Sequence, residues 1–226
     1  MSQSVITAIP PGGTALQGVL EQNRETYDNL APLYESSGRA RLAQAKRWLR
    51  PLLAPLRRSS RRLSILELGS ADGYLAGYIG ALGHEVTTVE FAAGMVEATR
   101  RNAPLATVVE ADFLDVDLPG GYDIVLCSAF AHLFPAPWDR LVIGKAAKLL
   151  TPEGLVYAAT TLHAEDSGGY EVKADGLRRY RQRYTASTFT TLITCSGLAP
   201  EHFYVTRDRL APSKTWGNWL ARGSGS

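Results

Sequence analysis

Arg62 to Glu90 reads RLSILELGSADGYLAGYIGALGHEVTTVE, and the order of its parts decides the fold. An apolar strand, Leu63 to Leu68, runs into a turn holding Gly69 and Gly73, a helical segment follows, and a second strand ends on the carboxylate of Glu90. Glycine lets a backbone turn sharply and approach a ligand where a Cβ would clash. The helix opening directly after the turn presents N–H groups that have no intrahelical partner. A carboxylate closing the next strand is placed to accept hydrogen bonds from a ribose diol at the carboxyl ends of a parallel sheet. The segment predicts a nucleoside-containing cofactor.

The glycine spacing narrows the choice. A dinucleotide site usually reads G-x-G-x-x-G, its second glycine admitting a pyrophosphate. Here Ala71 holds that position, in Glu67-Leu68-Gly69-Ser70-Ala71-Asp72-Gly73. The pattern resembles the E-x-G-x-x-x-G signature of class I S-adenosylmethionine-dependent methyltransferases, whose cofactor carries no phosphate. The resemblance extends along residues 63–160. Glu90 stands at the family's ribose-binding acid, with Phe91 and Met95 after it. Ala111-Asp112-Phe113 is similar to the element after the third strand, Tyr122 to Cys127 to the fourth strand, and Leu149 to Val156 to the turn into the fifth.

The resemblance implies an α/β, Rossmann-like methyltransferase fold: a mostly parallel seven-stranded sheet with an antiparallel last strand and helices on both faces. It implies S-adenosylmethionine as cofactor and S-adenosylhomocysteine as product. Glu67, Gly69, Asp72 and Gly73 would hold the methionine end, Glu90 the ribose, and Met95, Asp112 and Phe113 the adenine. Ser70, Ala71, Phe91, Ala111, Ser128 and Ala129 complete the expected cradle.

Around this core, residues 1–14 read as a mobile arm, because Pro-Pro-Gly-Gly suits neither helix nor strand. Residues 15–56 read as N-terminal lid helices, broken into Leu16 to Tyr34 and Gly38 to Leu56, with Pro51 and Pro55 at the fraying end. Residues 63–160 form the cofactor-binding core, with strands near 85–90, 106–110, 122–127 and 154–160 alternating with helices. Residues 161–184 are an acceptor-site insertion, 185–222 a final helix and antiparallel hairpin, and 223–226 a flexible tail. All of 15–222 is expected to be one methyltransferase domain, which 226 residues can build around a sizeable core.

Twenty-four basic against 22 acidic residues leave a net charge of +2, so no global field draws the chain to nucleic acid or membrane. A small-molecule acceptor is favoured, nucleic acid is disfavoured, and a homodimer is compatible. No Lys or Arg precedes Arg24 and no apolar run is long enough to span a bilayer, so a cytoplasmic protein is expected. Cys127 and Cys195 make no metal-ligand spacing and read as small hydrophobes; no metal is expected.

The acceptor site is less legible. Glu25 to Tyr34 resembles the Y-D-x-x-A-x-x-Y segment that closes over the cofactor in small-molecule members, making Tyr27 and Tyr34 lid candidates; equally, both anchor an amphipathic helix. Ser128-Ala129-Phe130 lacks the Asn/Asp-Pro-Pro-aromatic element of nucleic-acid amino methyltransferases. His132 is the general-base candidate, since imidazole titrates near neutrality; the bland reading is a histidine packing the following turn. In the insertion, His163, Tyr180, Arg181 and Tyr184 are the acceptor-binding candidates. Arg178 to Arg183 reads as a solvated face by default, next as a lid gripping a carboxylate or phosphate, and last as a nucleic-acid surface. Trp216 packs the sheet edge or walls the acceptor pocket.

Methyl transfer to an O, N or activated C nucleophile of a small molecule is the expected function. The rivals are a cofactor-binding protein without transferase activity and an NAD-dependent oxidoreductase, whose fingerprint Ala71 breaks.

Overall fold

The computed structural model describes residues 13–172 and 176–223. Most of the expected mobile arm, residues 1–12, and residues 224–226 of the expected tail lie outside the described residues; Gly13 and Thr14 already belong to a helix.

Two helices, α1 (Gly13–Trp48) and α2 (Arg50–Arg58), precede the sheet. Then β1 (Ser64–Leu68), α3 (Tyr74–Ala81), β2 (Glu85–Glu90), α4 (Ala93–Asn102), β3 (Thr107–Glu110), β4 (Tyr122–Ser128), α5 (Trp138–Lys148) and β5 (Leu150–Thr161) alternate. A hairpin, β6 (Ser167–Val172) and β7 (Arg178–Arg183), separates this run from α6 (Ala186–Cys195), β8 (Leu198–Arg207) and β9 (Thr215–Gly223). The large sheet has the order β3-β2-β1-β4-β5-β9-β8. Strands β1 to β5 pair in parallel, and β9 runs antiparallel to both β5 and β8. The expected seven strands and reversed last strand are present.

The parallel strands are apolar almost throughout because helices cover both faces. Leu66, Leu68, Val125 and Val156 face α5 and α6, whereas Ile65, Ile124, Leu126 and Tyr157 face α2 and α3. All eight side chains are buried. The reversal at α6 has a local cause: the Thr185 hydroxyl accepts from the Thr188 N–H as an N-cap, and Gly197 takes φ 84° after the helix ends.

One expectation is corrected at the N-terminus, where α1 runs unbroken through the predicted break at residues 35–37. Gly38 serves close packing there, since a Cβ on it would lie 2.1 Å from the Tyr74 ring. The hydroxyls of Ser36 and Ser37 donate back to the Leu33 carbonyl, so neither opens a turn. The interruption comes instead at Leu49, where Pro51 enters the first turn of α2.

The insertion is likewise a built element. Its β6–β7 hairpin is a second, two-stranded sheet lying against α1. Asn23 joins three pieces: its Nδ2 donates to the Leu133 carbonyl and its Oδ1 accepts from the Tyr180 N–H. Among the described residues no helix is long and apolar enough to cross a membrane.

Candidate active site

At the carboxyl ends of β1, β2 and β4 lies a cleft of about 280 Å³, roofed by α1, the β6–β7 hairpin and the segment joining β8 to β9. Its floor is the glycine turn. Gly69 and Gly73 adopt φ 68° and 74°, and a Cβ added to them would approach Phe130 to 2.7 Å and the Thr99 backbone to 2.6 Å. Ala71, between them, also takes a left-handed conformation, φ 51°. That cost is offset by a bond, because its N–H donates to Glu90 Oε2 at 3.1 Å.

Glu90 also accepts from the N–H groups of Phe91 and Ala92 at 2.9 and 3.2 Å. Burial nevertheless pushes its carboxyl up to about 7. Glu67 is pushed further, to about 8, by burial and then by the charges of Asp72 and Glu90. Its Oε2 is buried with no hydrogen-bond partner. Asp72 is held by Arg41 at 3.2 Å, although burial still raises it. This end of the cleft therefore holds three carboxylates, one with an unused buried oxygen, and suits a ligand carrying hydroxyl and cationic donors.

A smaller apolar pocket adjoins the cleft and shares Phe91, Phe130 and Leu133 with it. Ala111, Asp112 and Phe113 line it with Asn23. Asp112 Oδ1 accepts from the Leu114 N–H at 2.9 Å, which orients the carboxylate at the mouth of β3. Glycine turn, acid, carboxylate and flat pocket together match the outline of a nucleoside with a charged amino-acid tail.

Residues 65–154 match the family profile described as a methyltransferase domain. Over these residues the chain resembles a methyltransferase domain. The chain is also 28% identical over 103 residues to a ubiquinone biosynthesis O-methyltransferase of Xanthomonas campestris pv. campestris (strain B100), covering 42% of each protein. The chain thus matches less than half the length of that curated relative. The fold resembles the Burkholderia thailandensis 1,6-didemethyltoxoflavin-N1-methyltransferase, solved with 1,6-didemethyltoxoflavin and S-adenosylhomocysteine, with TM-score 0.73 and 16% identity, covering 98% of this chain and 95% of that one. It also resembles the CcbJ methyltransferase of Streptomyces caelestis, with TM-score 0.66 and 17% identity, covering 88% and 98%.

Within the cleft and its roof, the structure gathers most of the expected residues. Tyr27, Tyr34, Glu67, Gly69, Ser70, Ala71, Asp72, Glu90, Phe91, Ser128, Ala129, His132, Arg181 and Trp216 line the cleft. Met95 does not reach it, being fully buried against Leu30, Ala31 and Ala92 beneath α1. Tyr184 points elsewhere: its hydroxyl donates to Asp139 on α5 at 2.6 Å and its ring packs on Phe189. Tyr180 occupies the opposite face of β7 from Arg179 and Arg181, with its hydroxyl on Gln182, because side chains alternate along a strand. His163 bonds Thr161 at 3.0 Å behind the lining.

The solvated reading of the arginine run is overturned for two of its members, as Arg179 and Arg181 are 4% and 6% exposed. Arg179 pairs with Glu171 at 2.7 Å and donates to the Tyr27 hydroxyl at 3.2 Å. Arg181 donates through Nη2 to His132 Nε2 at 3.0 Å. A guanidinium only donates, so Nε2 carries the lone pair and Nδ1–H faces the Thr160 hydroxyl at 3.2 Å. Burial, then Arg181 and Arg179, lower His132 well below its ordinary value. The imidazole is neutral with its basic nitrogen engaged, which does not support the general-base expectation. Cys127 is pushed up to about 12 by burial and stays a thiol.

Sequence reasoning missed Arg41, Gln44, Trp48, Asp208 and Lys214, all of which line the cleft. The first three share one face of α1 at helical spacing. Asp208 caps Leu210 and Ala211 through Oδ1 and accepts from Trp216 Nε1 at 2.9 Å. Trp216, packed on Trp48 with centroids 4.4 Å apart and the rings tilted by 40°, is a wall of the cleft.

Proposed function

We propose that this protein transfers a methyl group from S-adenosylmethionine to a nucleophilic O, N or activated C of a small molecule. The observation that carries the reading is the unpartnered Oε2 of Glu67, buried at the bottom of the Gly69–Gly73 turn and facing the same cleft as Glu90. The turn leaves room for a tail, Glu67 and Asp72 supply charge for an ammonium group, and Glu90 supplies acceptors for a diol. Phe91, Asp112 and Phe113 shape the flat pocket for the base.

The cofactor, when bound, supplies an electrophilic methyl on a sulfonium. The chain's own contribution is positioning and exclusion of water. Tyr27 and Tyr34 on α1 close the cleft over the glycine turn, their rings edge to face at 6.2 Å. Arg41 stacks on Tyr34 at 3.6 Å and pairs with Asp72, tying the roof to the floor. Aromatic rings and carboxylates stabilise the positive charge that the transition state spreads. A roofed cleft of about 280 Å³ supports a small acceptor over nucleic acid.

Calorimetry separates this reading from its rivals. S-adenosylhomocysteine should bind and NADH should not, and S-adenosylmethionine should be consumed with a suitable acceptor. Binding of NADH alone would reject the proposal.

A further inference from the structure

The two ends of the cleft are chemically opposite. Five buried side-chain polar atoms among the described residues lack a hydrogen-bond partner, and four of them belong to cleft-lining residues. At the glycine turn the orphan is an acceptor, Glu67 Oε2. Beyond it, toward Trp216, the three orphans are all donors: Gln44 Nε2, Trp48 Nε1 and Arg181 Nε. A buried donor left unpaired costs free energy, so three in one cavity indicate a ligand rich in acceptor atoms.

Charge points the same way. Arg179, Arg181 and Arg183 share one carboxylate, Glu171, at 2.7, 3.7 and 3.7 Å. Lys214 lines the same cleft from the segment joining β8 to β9, where Asp208 spends its oxygens on backbone N–H groups and the Trp216 indole. Burial and the neighbouring arginines depress both Arg181 and Lys214, which is the strain an incoming anion would relieve. Arg181 is held in place by His132 with its Nε left over, and a guanidinium edge suits a planar oxyanion. The Trp48 and Trp216 rings, inclined at 40° to each other, add an apolar wall to the same cleft.

We infer that the acceptor is an acidic, partly apolar small molecule, anchored through a carboxylate-type oxyanion by Arg181 and Lys214, with Gln44 and Trp48 donating to its remaining acceptor atoms. This deepens the methyltransferase reading and rests on it for the word acceptor. His132 is then a positioning residue that aims Arg181.

The test uses the full chain and matched pairs of aromatic carboxylates and carboxamides, such as benzoate with benzamide and 1-naphthoate with 1-naphthamide. Affinities are measured by ligand-detected NMR titration with and without S-adenosylhomocysteine. The acids should bind at least tenfold more tightly than their amides. Arg181→Met and, separately, Lys214→Met should each reduce that preference at least fivefold. Since Arg181 is buried and its loss can impair folding, Lys214→Met on the half-buried joining segment keeps the test decisive. Equal binding of acids and amides, or a preference that survives Lys214→Met, overturns the inference. Absence of S-adenosylhomocysteine binding would reject the methyltransferase reading alone, because acid preference is still read on the chain without it.

Discussion

Arg181 on β7 donates to Nε2 of His132, 49 positions earlier in the chain, across 3.0 Å in a buried setting. Removal of a general base typically costs about 10²–10⁴-fold in rate. With the lone pair already engaged, His132→Gln, whose amide oxygen can accept from Arg181, should retain turnover within about tenfold, and kcat should show no limb near the ordinary histidine range. His132→Leu, which strands Arg181, should raise the acceptor KM more than it lowers kcat. A pH limb that disappears in His132→Gln would restore the base.

Glu90 gathers three backbone N–H groups and faces the cleft with the same carboxylate. Glu90→Ala should weaken S-adenosylhomocysteine binding by about 1–3 kcal/mol, the cost of leaving buried polar partners unmet. Calorimetry of the folded variant checks it, and unchanged affinity would remove Glu90 from the cradle.

Glu67 and Glu90 have folded-state pKa values raised from 4.5 to about 8 and about 7. Their protonated forms are favoured by folding, so this stabilisation is complete below the unfolded value and is lost as pH rises through 7 to 8. The melting temperature of the ligand-free protein should therefore fall from about pH 4.5 to about pH 8, the interval between the unfolded and folded values. Glu67→Gln should flatten that fall. A donor-bearing ligand favours the ionised carboxylates, so S-adenosylhomocysteine affinity should rise over the same interval, with proton release visible as a buffer-dependent heat.

Gly73 has φ 74° and its missing Cβ would lie 2.6 Å from the Thr99 backbone. Gly73→Ala must strain that turn or push α4 away, and should cost about 1–3 kcal/mol. For a domain of this size each kcal/mol corresponds to about 2–4 °C in melting temperature. A variant that melts with the parent protein would show that the turn relaxes freely.

The sheet was legible because its signals are local. Glu85–Glu90 falls on the expected residues, since a strand closed by a carboxylate carries its pattern in its own side chains. The helix α1 was misread at Gly38 because only Tyr74, 36 positions later, explains the glycine. Arg179 and Arg181 looked like surface charge, because the pairing of β6 with β7 and the cover of α1 that bury them are not written within the run itself.

The succession of strands and helices along the chain, the glycine turn, Glu67 and Glu90 were determined by the sequence alone, since each depends on neighbours within a few positions. Which donors gather at the Trp216 end of the cleft was decided only by tertiary structure. Gln44, Trp48, Arg181 and Lys214 come from three distant segments, and none is orphaned or crowded by charge until α1, the hairpin and the β8–β9 segment fold over one cleft. Burial, a property of the assembled chain, turned an ordinary charge run into a recognition site.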